Sequence, residues 1–233
     1  MQDIVHDEVF SLYPSFMRGV VIASGLRLSD YNPRIADFLS DAQERRKEEG
    51  VGLLDSPRLA AWDDAHRKFN SNPKRFPPSI RSLTERVLRG KPLPYINDAV
   101  ALFNAVSLKY LIPCGGDNVD ALAGDARLGI AKGRERFTPL GGGAVEHPGE
   151  GEVIYYDDGD FKVMCRRWNW RNGDETKITG DTRNLLINVD GLGDDIGPVV
   201  KEAADEIATW LERECGGQVR RDVLHAGRPA INV

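Results

Sequence analysis

The segment NDAVALFNAVSLKYL, residues 97–111, is apolar on nearly every side. It predicts a helix capped by Asn97 or Asp98. A helix without a polar stripe cannot lie on a surface, so other layers have to enclose it. That demand fixes the kind of fold the rest of the chain has to supply. Ahead of it the patterns are helical. DFLSDAQERRKEEG reads as an exposed helix ended by Gly50. DSPRLAAWDDAHRKF starts at a Ser56 cap with Pro57 in the first turn. In SNPKRFPPSIRSLTERVLRG the prolines run to Pro78, and Ile80, Leu83 and Val87 then recur at helical spacing up to Gly90.

Behind it the texture turns to strands. EVIYY and FKVMC are joined through Asp158-Gly159, a hairpin signal, and TRNLLINVDGL is a further strand. FMRGVVIASGL reads as a strand near the start. GPVVKEAADEIATWLERECGG is a terminal amphipathic helix with Val200, Ala203, Ile207 and Leu211 on one face. Helices that mostly precede strands indicate an α+β fold rather than an alternating parallel one. At 233 residues and 41% apolar content the chain is expected to be one domain with a sizeable core. No apolar run approaches the ~18 residues of a membrane span, and MQDIVHDEVF lacks the basic start of a secretory signal. A soluble cytoplasmic protein is the expectation.

Cys114, Cys165 and Cys215 show no CxxC spacing, and His6, His66, His147 and His225 are scattered. Neither a metal site nor a disulfide framework is indicated, and reduced thiols suit a cytosol. No signature pairs Cys114 or Cys165 with a histidine base, so a thiol nucleophile is not indicated either. GGG at 141–143 and CGG at 114–116 match neither a P-loop nor GxGxxG, and no cofactor is implied. CGGD follows the buried helix and Pro113. It is either a simple turn or a loop whose backbone N–H groups are aimed into a cavity.

The net charge of −5 conceals a polarity: residues 58–91 hold nine Lys/Arg against three Asp/Glu, and residues 190–214 hold eight acids and two bases. The basic stretch is either a solvated face or a surface for phosphate. The sequence RRWNWR, 166–171, packs three arginines and two tryptophans into six residues. As a strand it would put Arg166, Trp168 and Trp170 on one face and Arg167 and Asn169 on the other. That arrangement suits either buried rings with salt-bridged arginines, or a wall that pairs with phosphate and stacks a base.

PYINDAVALFNAVSLKYLIPCGGDNVDALAGDARLGIAKGRERFTPLGG together with TKITGDTRNLLINVDG resembles the B3/B4 domain of the phenylalanyl-tRNA synthetase beta subunit, in order and spacing, over residues 93–191. RFPPSIRSL, NAVSLKYLIPCGG and RRWNWR are similar to free-standing proteins that carry this domain alone. The resemblance implies an α+β fold around an unusual β-sandwich flanked by helices. Its core would span about residues 56–191 of a single domain, with extensions at 1–55 and 192–233. It also implies a hydrolytic editing site for tRNA carrying a wrong amino acid.

Position by position, the pocket asparagine of that domain matches Asn104. The threonine before it is replaced by Phe103, and a histidine twelve positions after that threonine by Gly115. The glycine-rich pocket wall falls at 167–170, and a glutamate that recognises a tyrosine hydroxyl aligns with Asn188. The resemblance thus assigns the chemistry to Asn104 with the backbone N–H groups of Gly115 and Gly116. Phe103, Cys114, Trp168, Asn169, Trp170 and Asn188 would contact the amino acid, and Lys74, Arg75, Arg81, Arg166, Arg167 and Arg171 the acceptor end of tRNA. Neither DNA nor a membrane is an expected partner. The lost histidine and glutamate leave a second reading, a non-catalytic RNA- or amino-acid-binding module, and they remove the recognition suited to tyrosine.

Overall fold

The computed structural model describes all 233 residues. In chain order the elements are β1 (Gln2–Val5), α1 (Asp7–Leu12), β2 (Met17–Ser24), α2 (Pro33–Glu49), α3 (Pro57–Lys68), α4 (Ser79–Leu88), α5 (Asp98–Tyr110), β3 (Cys114–Asn118), β4 (Ala126–Ile130), β5 (Val153–Asp157), β6 (Lys162–Arg166), β7 (Arg171–Asn172), β8 (Leu185–Gly191), α6 (Ile196–Glu214), β9 (Gln218–Leu224) and β10 (Ala230–Asn232). The strands form a six-stranded sheet, β10-β1-β4-β5-β6-β7, and a four-stranded sheet, β3-β8-β2-β9. This is an α+β sandwich in which α2, α5 and α6 cover the outer face of the four-stranded sheet while α1 and α3 pack against the core between the sheets. No helix is long and apolar enough to cross a membrane.

Strand alternation explains the layers. On β8, Leu185, Ile187 and Val189 face a core shared with α2, α5 and α6, whereas Leu186 joins Val20, Ile22, Val153, Tyr155 and Met164 in the core between the sheets. Both faces of the four-stranded sheet are therefore covered, and α5 is enclosed as its composition requires: ten of its thirteen residues are buried. Asn97 caps it, its side chain accepting from Val100 N at 3.0 Å. Close packing of α6 depends on glycine, since a Cβ at Gly191 would overlap Val200 and Ile196, and one at Gly19 would press on Ala204.

Ser56 caps α3 and Gly50, at φ 78°, ends α2 as expected; α2, however, begins earlier, at Pro33, under an Asn32 cap. The hairpin between β5 and β6 turns over four residues, 158–161, not two. CGGD is not a turn but most of a strand, β3, at the edge of the four-stranded sheet. The chain ends are woven into the sheets. Gln2 pairs with Asn232 and Asp3 with Ala126, and β9 adds to β2 along seven residue pairs.

Between the sheets lies a polar knot. Arg18 is fully buried; its Nε donates to Asp190 Oδ1 at 3.0 Å and its Nη1 to Asp3 Oδ1 at 3.1 Å. Tyr155 Oη and Trp168 Nε1 both donate to Asp190 Oδ2, the latter at 2.8 Å. A buried charge is tolerated only when paired and hydrogen-bonded, and this knot ties β1, β2, β5 and β8 to the Trp168 turn.

Candidate active site

A cavity of about 210 Å³ opens beside the edge strand β3. α5 contributes Phe103 and Asn104. β3 contributes Cys114, Gly115, Gly116 and Asp117, and β8 adds Asn188 and Asp190. Trp168, Asn169 and Trp170 close it from the turn after β6, and Ser79, Ser82 and Leu83 from α4. Thus Asn104, Gly115 and Gly116, together with Phe103, Cys114, Trp168, Asn169, Trp170 and Asn188, all meet around one hollow.

Register explains how β3 serves it. Opposed residues of an antiparallel pair alternate between bonded and non-bonded pairs. Asp190 N donates to Pro113 O, and Gly115 lies opposite Asn188 two steps along. The Gly115 N–H is therefore taken up by β8. Those of Cys114 and Gly116 point to the open edge, as does that of Asn118, which donates to Thr176 O. This corrects the expectation that Gly115 offers a donor: Gly116, with Cys114, does. The role of Gly115 is space. A Cβ there would meet nothing within 4 Å, on the face where Asn188 stands.

The expected alternation of RRWNWR does not occur. β6 stops at Arg166, Arg167 (φ 47°) and Trp168 (φ 63°) are left-handed, and the chain is back in β7 by Arg171. Left-handed backbone costs about 1–2 kcal/mol per non-glycine residue. The turn recovers that cost by sending the Trp168 ring inward. There it packs edge-on against Tyr13, Phe16 and Trp62 at 4.8–5.1 Å between centroids and gives its N–H to Asp190. Trp168 becomes the floor of the cavity. Trp170 stays at the rim, 4.7 Å from Phe76.

The basic residues divide into two groups. Arg166 is 8% exposed and forks onto Glu152 at 2.9 and 3.0 Å, with Glu146 on its third nitrogen at 2.7 Å. Arg81 is likewise held by Asp63 at 2.7–2.8 Å and by Leu54 O. These two are internal ties and not free cations, a correction to their assignment to a tRNA surface. Lys74 and Arg75 are exposed. Arg75 and Arg167 place their guanidinium carbons 5.0 and 3.9 Å from the Phe76 ring centre, and Arg167 and Arg171 lie 5.8 and 5.9 Å from that of Trp170. Arg171 also stands 3.6 Å from Glu146.

Buried polar atoms are nearly always paired, yet three around the cavity have no partner: Ser79 Oγ, Asn169 Nδ2 and Asn188 Oδ1. Asn169 is held in place, its Oδ1 3.2 Å from His66 Nε2. An amide oxygen only accepts, so the ring donates there. Burial pushes the His66 imidazole down to about 4, which keeps it neutral. The thiols of Cys114 and Cys165, and the Tyr155 phenol, are pushed up by burial and stay protonated. Burial also lifts the Asp117 carboxyl to about 7; the Thr176 hydroxyl, 2.5 Å from Oδ1, opposes this and the charge of Asp3 adds to it.

Sequence reasoning does not single out Asp117, Ser79, Asp190 or Tyr155 for the site. Asp117 is within its reach, as the last letter of CGGD beside an expected cavity. No group of three or more His, Cys, Asp or Glu is arranged to hold a metal.

No curated protein matches the chain. Among solved structures, it is similar to an N-terminal fragment of the phenylalanyl-tRNA synthetase beta-subunit from Pyrococcus horikoshii, with a TM-score of 0.52 and 16% identity over 94% of this chain and 50% of that one. The chain thus spans half the length of that fragment, and the likeness is one of fold. The B3/4 domain model matches residues 61–197, more than half of the chain and the stretch that lines the cavity, so the chain belongs to the B3/4 domain family.

Proposed function

We propose that the chain is a trans-acting deacylase that frees a wrong amino acid from the acceptor end of tRNA. The observation that carries this reading is the single cavity in which Asn104, the edge N–H groups of Cys114 and Gly116, and three unpartnered polar atoms converge under an arginine-edged aromatic rim. Trp170 at the rim offers a face for a terminal base, and the exposed Lys74 and Arg75 supply charge for the backbone.

An aminoacyl ester is already activated, so catalysis reduces to orienting a water and stabilising the developing oxyanion. The edge N–H of Gly116 is fixed in a strand and receives the oxyanion without reorganising, while that of Cys114, about 6.7 Å along the same edge, is left for another polar group of the substrate. The Asn104 amide makes no hydrogen bond within the protein and holds the water. A cavity of about 210 Å³ holds several waters or a modest side chain. An apolar one would leave Asn188 Oδ1, Asn169 Nδ2 and Ser79 Oγ unsatisfied, at about 1–3 kcal/mol each. A polar amino acid is therefore favoured.

The test is deacylation of a panel of mischarged tRNAs. Turnover above buffer on at least one, lost in Asn104→Ala while tRNA binding persists, is the expected result. Rates equal to buffer throughout would overturn the reading. Tight tRNA binding without turnover would instead favour the non-catalytic module that the missing histidine and glutamate suggest.

A further inference from the structure

The cavity contains a carboxyl group without a cation. Two aspartates line it, and their surroundings differ. Asp190 has both oxygens occupied, by Arg18 on one and by Tyr155 and Trp168 on the other. Asp117 receives only the Thr176 hydroxyl, on Oδ1; its Oδ2 has no partner within the protein, and no cationic side chain is paired with it. It stands on the same strand face as Gly115 and Asn188, two residues along β3 from the Gly115 gap, and immediately follows the outward N–H of Gly116.

We infer that Asp117 is the general base of this site: its Oδ2 takes a proton from the water that attacks the ester carbonyl, and hands that proton to the departing ribose oxygen. The inference rests on the deacylase reading. The balance is complete within the site. The water oxygen bonds to the carbonyl carbon as Asp117 is protonated, the oxyanion sits against the Gly116 N–H, and collapse breaks the carbon–ribose oxygen bond as Asp117 gives the proton back. Free amino acid and a ribose hydroxyl result, with no co-reactant.

The other groups lining the cavity cannot take this part. The Cys114 and Cys165 thiols and the Tyr155 phenol hold their protons at neutral pH. The ionisable groups that interact with Asp117 are Asp3 on β1, whose charge raises it further, and Cys165 on β6; no cation is among them, so nothing draws its proton away. A base works best near the operating pH, and burial brings this carboxyl to about 7. Thr176 holds the carboxyl in one orientation, leaving Oδ2 toward the water.

The experiment is single-turnover deacylation from pH 5 to 9, after subtraction of buffer hydrolysis, by wild type, Asp117→Asn and Asp117→Glu, with tRNA affinity measured alongside. Asparagine keeps the Thr176 bond and cannot take the proton. The expected result is a wild-type rate rising to a plateau above about pH 7, a drop of about 10²–10⁴-fold in Asp117→Asn with loss of that rise, partial recovery in Asp117→Glu, and unchanged tRNA affinity. A wild-type protein active on the panel, with Asp117→Asn within threefold of it on the same profile, would overturn the base alone. So would a raised KM at unchanged kcat, which would make Asp117 a holder of the substrate ammonium. A wild-type protein inactive on every substrate would overturn the deacylase reading and the base with it.

Discussion

Replacing Asp117 with asparagine should stabilise the fold, and only above acidic pH. A carboxyl lifted from 3.8 to about 7 in the folded protein keeps its proton there over a range in which the unfolded chain has released it. The folded state binds more protons between those values, so stability falls as pH rises through that window and the penalty is complete above about 7. At 1.36 kcal/mol per decade the displacement is worth about 4 kcal/mol. Asp117 borders a cavity wide enough for water, which solvates the ionised form in part, and about half of that, ~2 kcal/mol, is the figure to test. Asparagine accepts from Thr176 as the carboxyl does and is never charged. Guanidinium denaturation at pH 8 should therefore show Asp117→Asn about 2 kcal/mol more stable than wild type, or about 4–8 °C higher in Tm for a chain of this length. At pH 4 the difference should nearly vanish. A variant less stable at pH 8, or a gap independent of pH, would refute the argument.

Other perturbations separate the functions of the remaining residues. Gly115→Val adds a side chain where a Cβ meets nothing within 4 Å, and β-branched residues suit strands; Tm should change by less than about 2–4 °C, the equivalent of ~1 kcal/mol, while deacylation is lost, and a large fall in Tm would show that the space is not free. Trp168→Ala should cost about 3–5 kcal/mol by denaturant midpoint, and Trp168→Phe about 1–3 kcal/mol through the missing donor on Asp190. Removing Lys74 and Arg75 together should reduce the slope of log affinity for tRNA against log salt by about 0.7–0.9 for each phosphate no longer neutralised. Arg166→Lys should leave that slope unchanged and lower stability, because an ammonium cannot reproduce the fork onto Glu152.

Periodicity makes the enclosed helix, the capped helices and the two best-patterned strands, β2 and β8, legible because each is specified by neighbours in sequence. β3 is not legible, since Cys-Gly-Gly-Asp-Asn has little strand propensity and becomes a strand by pairing with β8. The same holds for β1 and β10, which pair from opposite ends of the chain through Gln2 and Asn232. Within the site, the resemblance gathers residues that no spacing rule connects, such as Asn104 and Asn188. It does not reveal that Arg166 is neutralised, because Glu146 and Glu152 lie in an otherwise uninformative loop and strand entry. Nor does it assign Asp117 a role, since a carboxyl acquires unusual basicity from burial and the absence of a cation, and neither is written locally.

Gly115 and Asn188, the positions where the resemblance implies a histidine and a glutamate, stand directly opposite each other across β3 and β8. The two positions therefore shape one spot of the pocket wall. A histidine at 115 and a glutamate at 188 would face each other across neighbouring strands; here the same spot holds a bare backbone and an amide whose oxygen has no partner. Had the pocket simply decayed, larger side chains or a collapsed strand edge would be expected to fill the gap, because voids forfeit packing. Instead the hollow of about 210 Å³ persists, bounded by a tryptophan that accepts left-handed backbone to reach its floor. Two residues along the same face an ionisable group remains in Asp117. An open, polar cavity with a carboxyl that no cation pairs is what the proposed deacylase reading needs, and on that reading the bare backbone at 115 and the free amide oxygen at 188 set which amino acid fits.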